Sequence, residues 1–105
     1  MDIEFNKNED QMNIHIGELY HKLETIYLGG GQKKIDKQHK KGKMTARERV
    51  DFLKDKDATF FEIGAFAGYG MYEEHGGCPA GGTVMGISKV EGRDCMIVAN
   101  DATVK

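Results

Sequence analysis

TVMGISKVEGRDCMIVAND (83–101) is the stretch that decides the fold. Its two β-rich runs, TVMGISKV and CMIVAND, are joined through Glu91-Gly92-Arg93-Asp94, and Gly92 supplies the residue that must take a positive φ. This pattern predicts a β-hairpin. The second run carries consecutive apolar residues from Met96 to Ala99, which is typical of a strand buried on both faces of a layered sheet.

Glycines interrupt the chain before this hairpin. ATFFEIGAFAGYG (58–70) indicates extended chain, with Phe60, Ile63 and Phe66 as expected core contacts. GMYEEHGGCPAGG (70–82) has no regular period and predicts a loop. It lacks the Lys-Ser/Thr ending of a phosphate-binding P-loop, so a tight turn feeding the hairpin is the favoured interpretation.

The first half of the chain is helical by pattern. Apolar side chains recur at steps of three and four from Glu9 to Leu28, and Gly29-Gly30-Gly31 then provides a stop signal. Thr45 and Glu48 have the spacing of a capping box, which predicts a short helix ending near Lys54–Lys56, with cations in its last turn. The sequence thus divides one small domain into a helical lead-in (1–56) and the first strands and hairpin (57–105).

Composition excludes several classes of protein. Hydrophobic residues make up 39% and charged residues 30% of the 105, and the net charge is −2, so neither nucleic acid nor a membrane surface is an expected partner. No apolar run could span a bilayer and the N-terminus is acidic and polar, which favours a cytoplasmic protein. Cys78 and Cys95 are too few for a zinc pattern or a disulfide framework, and the four histidines lack ligand spacing, so no metal site is expected.

Three segments, taken in order, resemble a known family: GGGQKKIDKQHKKGKMTARERV (29–50), AFAGYGMYEEHGGCPAGGTVMGISKVEGR (65–93) and CMIVANDATVK (95–105). The chain resembles the opening of the β (carboxyltransferase) subunit of biotin-dependent acyl-CoA carboxylases. The resemblance implies an α/β, crotonase-like fold of ββα units stacked into a superhelix, of which this chain would hold an α+β portion: N-terminal helices followed by a β-hairpin.

The resemblance also implies a reaction and its participants. Family members move a carboxyl group from carboxybiotin, delivered by a carrier domain, to the α-carbon of an acyl-CoA. The implied partners are acyl-CoA, a biotin carboxylase/biotin carrier subunit and further β subunits in a homo-oligomer, with no covalently bound cofactor. Backbone N–H groups at glycine-rich turns stabilise the oxyanions in this family. Those glycines are expected beyond Lys105, so the domain is expected to be incomplete and inactive alone, with no catalytic residue within it.

Several residues remain candidates for the site. Lys43, Thr45, Arg47 and Arg49 lie at the start of the capped helix, where cations suit the phosphates of coenzyme A. The alternative for the two arginines is pairing with Glu48, Asp51 or other surface carboxylates. The six lysines of residues 32–43 form either a solvated face or an anion site.

Four further residues are expected beside the site: Gly81, Gly82, Asn100 and Asp101. Asn100-Asp101 either accepts backbone N–H bonds where the strand ends or places the segment that follows. Three functions stay open: a carboxyltransferase subunit, a non-catalytic remnant that binds CoA or other subunits, and part of a biotin-dependent acyl-CoA decarboxylase α subunit. The sequence leaves the acyl group open.

Overall fold

The computed structural model describes residues 2–105. Within this range the chain forms three α-helices, α1 (Ile3–Tyr27), α2 (Gln32–Lys40) and α3 (Ala46–Leu53), and three strands, β1 (Phe61–Glu62), β2 (Thr83–Val90) and β3 (Arg93–Asn100). Two short 3₁₀ turns, Glu73–His75 and Pro79–Gly82, lie between β1 and β2. The strands form one antiparallel sheet in the order β1-β2-β3.

The predicted hairpin is present, with a tighter turn than expected. β2 and β3 pair from Thr83↔Asn100 to Val90↔Arg93, so Arg93 and Asp94 belong to the strand and the turn is Glu91-Gly92 alone. Both turn residues have a positive φ, 52° for Glu91 and 79° for Gly92. Two such residues give the twist that matches a two-residue hairpin.

Asp55 clamps this turn from 36 residues away. Its carboxylate oxygens accept the backbone N–H groups of Glu91 at 2.6 Å and Gly92 at 2.8 Å, and its own N–H donates to the carbonyl oxygen of Lys89 at 2.8 Å. Hydrogen bonds to a charged acceptor are stronger than neutral ones. The clamp therefore ties the chain just after α3 to the tip of the hairpin.

Helix α3 covers one face of the sheet and forms the core with it. Ala46 and Val50 of α3 pack with Val84, Ile97 and Ala99. Met96 and Val98 alternate with Ile97 and Ala99, and they are 57% and 58% exposed. Burial of β3 on both faces was predicted wrongly for this chain, because no element within the described residues covers the outer face of the sheet.

The capping box that starts α3 is confirmed. The Glu48 N–H donates to the Thr45 hydroxyl at 3.3 Å, and the Glu48 carboxylate accepts the Thr45 N–H at 3.0 Å. The other end of α3 differs from prediction. The helix ends at Leu53 with no basic residue in its last turn, because Lys54 is already extended.

Helix α1 is longer than the periodicity indicated. It begins at Ile3, where the Asp2 side chain accepts the Glu4 N–H at 3.1 Å, six residues before the predicted start. Its 25 residues span roughly 37 Å. Ile26 is the buried residue of the predicted apolar stripe, and Leu19 and Tyr20 are 45% and 62% exposed. The stripe exists, but only its C-terminal end is buried.

The segment before β2 is less extended than expected. Only Phe61–Glu62 forms a strand, and the core contacts predicted for Ile63 and Phe66 are wrong, since both side chains are more than one third exposed. Phe60 does pack against the core. Gly64 and Gly68 have φ of 78° and 73°, and these positive angles turn the chain repeatedly instead of extending it.

None of the three helices in the part of the chain described combines the length and apolarity needed to cross a membrane.

We expect Asp55→Ala to lower the free energy of unfolding by about 1–3 kcal/mol, because two turn amides lose a charged acceptor. Chemical denaturation followed by far-UV circular dichroism measures this loss, and hydrogen exchange should show faster exchange at the Glu91 and Gly92 amides. Asp94→Ala on the same hairpin is the control. It removes only an exposed ion pair with Lys89, so a change within about 0.5 kcal/mol is expected. Equal stability of the two variants would contradict the clamp.

Candidate functional site

The triple glycine that follows α1 contacts the segment that follows β3. The Gly30 N–H donates to the Thr103 hydroxyl at 2.9 Å across 73 residues of sequence. Thr103 in turn donates its hydroxyl proton to Asp101 Oδ1 at 2.6 Å, and its N–H donates to the same oxygen at 2.9 Å. Thr103 is 4% exposed. We call this contact between Gly29–Gly31 and Asp101–Thr103 the glycine–threonine junction.

The junction leaves no room for a side chain on its glycine side. A Cβ on Gly30 would lie 1.7 Å from the Thr103 carbonyl oxygen, and one on Gly29 would lie 2.6 Å from Asp101 Oδ2. Gly29 also has a φ of 55°. These glycines therefore do more than end α1: they let the backbone approach Asp101 and Thr103 closely.

The residues expected beside the site are partly brought together here. The Asp101 N–H donates to the Gly82 carbonyl oxygen at 2.9 Å, so the loop before β2 and the end of β3 are joined. Gly81 lies further back in the loop, and its N–H donates to the Ala67 carbonyl oxygen at 2.8 Å. Asn100 pairs with Thr83 in the sheet, and its side chain is exposed. Asp101 thus accepts a backbone N–H where the strand ends and also holds Thr103.

The four coenzyme A candidates lie close in sequence around the start of α3. They differ in exposure and in whether their side chains already bind another part of the protein. The Thr45 hydroxyl accepts a backbone N–H as the helix cap, while Lys43 and Arg49 are exposed and form no ion pair among the described residues. Next to them His39 contacts Glu48 at 2.5 Å. The hydrogen bond from His39, together with the Thr45 N–H, lowers the pKa of Glu48 to about 2.

Arg47 is held by an internal carboxylate. Its Nη1 donates to Glu62 Oε2 at 3.1 Å and its Nη2 lies 2.8 Å from Glu62 Oε1. The guanidinium also lies 4.5 Å from the centre of the Tyr27 ring, close enough for a cation–π interaction. The Arg47 and Glu62 side chains are only 23% and 11% exposed. Arg47 therefore links α1, α3 and β1.

An open cavity of about 310 Å³ adjoins this ion pair. Its lining combines two aromatic, two aliphatic and three charged side chains: Tyr27, Arg47, Val50, Asp51, Phe60, Glu62 and Val84. Such a lining can hold a partly apolar group and fix its orientation. Nowhere in residues 2–105 do three His, Cys, Asp or Glu side chains cluster so as to hold a metal ion.

Residues 37–105 match the carboxyl transferase domain family. The chain belongs to this family. Over 102 residues it is 41% identical to the probable methylcrotonoyl-CoA carboxylase beta chain of Drosophila melanogaster, covering 97% of this chain and 18% of the relative. Over 94 residues it is 43% identical to methylmalonyl-CoA decarboxylase subunit alpha of Propionigenium modestum, covering 85% and 18%.

A solved structure agrees with these carboxyl transferase relatives. The crystal structure of transcarboxylase 12S, with hydrolysed methylmalonyl-coenzyme A bound, superposes with a TM-score of 0.79 at 34% identity, covering 89% of this chain and 19% of that one. The predicted fold, N-terminal helices and then antiparallel strands of a crotonase-like domain, is confirmed. The chain spans about one fifth of the length of the proteins it matches.

Sequence reasoning missed four residues that build these contacts: Tyr27, Gly30, Glu62 and Thr103. The sequence pattern assigns Tyr27 only to the helical stripe and Gly30 only to helix termination. Gly30 and Thr103 lie within two of the segments that resemble the family, 29–50 and 95–105, and this resemblance is the signal that could have pointed to them. Nothing in one sequence states that two such segments touch.

We expect Gly30→Ala to destabilise the carboxyl transferase chain by about 2 kcal/mol or more, because the new methyl group overlaps the Thr103 carbonyl oxygen and opens the junction. Gly17→Ala is the control. It lies in α1 with open space around its Cβ, and there alanine should stabilise by about 0.5–1 kcal/mol. Thermal unfolding of both variants checks the prediction, and similar melting temperatures would contradict the junction.

We expect Arg47→Ala to lower the free energy of unfolding by about 1–3 kcal/mol, since the nearly buried Glu62 carboxylate loses its partner. Arg49→Ala, two residues away and exposed, should change it by no more than about 0.5 kcal/mol. The double variant Arg47→Ala/Glu62→Gln should recover part of the loss, as a double-mutant cycle in urea would measure. Strictly additive effects would argue against a stabilising pair.

Proposed function

We propose that residues 1–105 are the N-terminal part of a carboxyltransferase subunit, which moves a carboxyl group from carboxybiotin to the α-carbon of an acyl-CoA. One observation carries the proposal: the sequence and the fold point to carboxyltransferase proteins over the same residues. The match to a methylcrotonoyl-CoA carboxylase beta chain and the superposition on transcarboxylase 12S each cover most of this chain. Agreement along nearly the whole chain supports shared chemistry better than an isolated motif would.

The chemistry defines what the chain must contribute. Removing a proton from the α-carbon of a thioester develops negative charge on its carbonyl oxygen, and preorganised N–H donors stabilise that charge. We place those donors on glycines that follow Lys105 in the complete subunit, so residues 2–105 would position rather than react. The junction fixes Asp101–Thr103 against Gly29–Gly31, which supports this role because it holds the end of β3 in one place.

The start of α3 is the proposed coenzyme A contact within this part. Thr45 and Arg47 would act by shaping the helix terminus, because their polar groups already have partners. Lys43 and Arg49 are the candidates for direct contact with phosphate, since both are exposed and lack a carboxylate partner among the described residues.

Acyl-CoA and a biotin carboxylase/biotin carrier subunit are the proposed partners, together with further copies of the β subunit. A further relative, 40% identical over 94 residues, is the probable biotin-dependent acyl-coenzyme A carboxylase beta2 subunit of Mycobacterium tuberculosis, and its name supports the carrier. The hexamer assembly of transcarboxylase 12S supports the homo-oligomer. Carboxybiotin enters as a substrate attached to the carrier. The cytoplasmic location stays a prediction.

The test is carboxylation by the complete subunit assembled with its carrier partner. We expect ATP-dependent incorporation of labelled bicarbonate into methylcrotonyl-CoA or propionyl-CoA. Arg49→Ala should raise the KM for acyl-CoA about tenfold with kcat unchanged, as loss of one charged phosphate contact predicts. Arg93→Ala, at the first residue of β3, is the matched control and should leave both constants unchanged. Absence of carboxylation with every acyl-CoA tried would overturn the proposal.

The decarboxylase alternative keeps one specific observation in its favour, the 43% identity to methylmalonyl-CoA decarboxylase subunit alpha. It predicts loss of carboxyl from methylmalonyl-CoA to biotin on a carrier, without ATP. Assaying the same assembly in this direction separates the two functions. A chain that binds CoA but supports neither reaction in the complete assembly would instead be the non-catalytic binding module.

A further inference from the structure

Helix α1 is exposed along most of its length. Every residue from Ile3 to Lys22 is exposed, Leu23 is half-buried, and Ile26 is the one buried residue of the helix. Helices in proteins owe most of their stability to the packing of an apolar face. Within residues 2–105, the greater part of α1 lacks that packing.

The apolar residues of α1 follow a heptad repeat. Seven residues lie at alternating steps of four and three, and we call them the α1 seam: Phe5, Glu9, Met12, Ile16, Leu19, Leu23 and Ile26. An average step of about 3.5 residues is the period of a coiled coil, in which each seam residue inserts between four residues of a facing helix. Six of the seven are apolar, so the seam is typical of a surface that packs against another helix.

The seam is exposed at its N-terminal end and buried at its C-terminal end. Phe5, Met12 and Ile16 are 55%, 59% and 40% exposed, whereas Ile26 is 3% exposed. The last turn of α1 thus packs within the chain. The part of the seam before it is open to a partner.

The residues that flank the seam are mostly neutral. Flanking positions of a coiled coil face the partner helix, and like charges there oppose the pairing of identical chains. On α1 the flanking positions carry one lysine and no carboxylate: Asn6, Asn8, Asn13, His15, Tyr20 and Lys22. The acidic residues Glu4, Asp10 and Glu18 lie further from the seam. A second copy of α1 therefore meets little like charge.

Glu9 and Lys22 favour an antiparallel arrangement of two such helices. In a parallel pair in register, Glu9 would face Glu9 of the second copy, and the two carboxylates would repel. An antiparallel pair can set Met12 opposite Ile16 of the second copy. Glu9 then lies opposite Leu19, and Lys22 is one turn further along. Each Glu9 can therefore pair with a Lys22, twice by symmetry.

The same register brings an aromatic side chain to a cavity beside α1. This open cavity of about 330 Å³ is lined by two exposed rings and four residues of the helix: His15, Glu18, Leu19, Lys22, Phe66 and Tyr69. The two rings form an edge-to-face pair with centroids 5.8 Å apart, and Lys22 Nζ lies 5.6 Å from the centre of the Tyr69 ring. Phe5 of the second copy would reach this part of α1, where aromatic side chains pack favourably.

We infer that the α1 seam binds the α1 seam of a second copy of this chain, as an antiparallel helix pair. The inference does not rest on the carboxyltransferase function, because it uses only α1 and the cavity beside it. About a dozen residues of each copy would contact the other, fewer than the roughly 20–30 of a stable complex. The association is therefore expected to be reversible and dependent on concentration.

The test is sedimentation equilibrium of the 105-residue chain from low micromolar to submillimolar concentration. Ile16→Lys places a charge in the seam. Ile14→Lys places the same charge on the same helix outside the seam, at a residue that is 62% exposed, and is the matched control. We expect Ile16→Lys to weaken dimerisation at least about tenfold and Ile14→Lys to leave it within about twofold, because only the first charge is buried on pairing.

Exchange of charges tests the orientation. Glu9→Lys sets two lysines against each other in the antiparallel pair and should weaken dimerisation, as should Lys22→Glu. The double variant Glu9→Lys/Lys22→Glu restores both ion pairs with their signs reversed, so it should dimerise more tightly than either single variant. No recovery in the double variant would overturn the antiparallel pair.

Three other outcomes would also overturn the inference. The first is a chain that stays monomeric at every concentration. The second is equal dimerisation of the Ile14→Lys and Ile16→Lys variants, which association through the exposed outer face of the sheet would produce. The third is a lower melting temperature of the complete subunit with Ile16→Lys and not with Ile14→Lys, at unchanged mass, because another segment of the same subunit would then cover the seam. Mass and not turnover is measured, so the carboxylation assay decides the proposed function separately.

Discussion

The hydroxyl group of Thr103 connects two parts of the chain that are 73 residues apart. It accepts the Gly30 N–H and donates to Asp101, so one buried side chain satisfies a backbone donor and a carboxylate at once. Buried polar groups are costly without such partners. This contact holds the segment just before α2 against the chain that follows β3.

The packing of α3 against the sheet and the shape of the hairpin depend mainly on interactions between residues that are close in sequence. Val50 of α3 and Val84 of β2 are almost fully buried against each other's elements, and the Asp55 carboxylate fixes the hairpin turn beside them. Both the hairpin and the capped helix follow from short-range signals. The positive φ at Gly92 and the reciprocal bonds between Thr45 and Glu48 need only neighbouring residues, which is why the sequence predicted them.

The wrong predictions concern burial and long-range pairing, both of which depend on tertiary position and not on residue type alone. Ile63 and Phe66 resemble core residues by type, but Gly64 and Gly68, both with a positive φ, turn the chain after them and both remain partly exposed. Met96 and Val98 form part of a continuous apolar run, yet the described residues cover only one side of the sheet. At the candidate site the sequence singled out residues around the start of α3 and the pairs Gly81-Gly82 and Asn100-Asp101, but it did not indicate Glu62 as the partner of Arg47. An ion pair between distant residues depends on tertiary position, which charge patterns along the chain do not specify.

The long sequence separation of the junction also bears on the order of folding. Closing a 73-residue loop costs more entropy than pairing two adjacent eight-residue strands across a short turn, so the hairpin and α3 should become ordered first and the junction last. Helix α1 leaves the ribosome before either, and the junction just after its C-terminus can close only once Thr103 has been synthesised. The turn that is made before the hairpin is therefore completed after it.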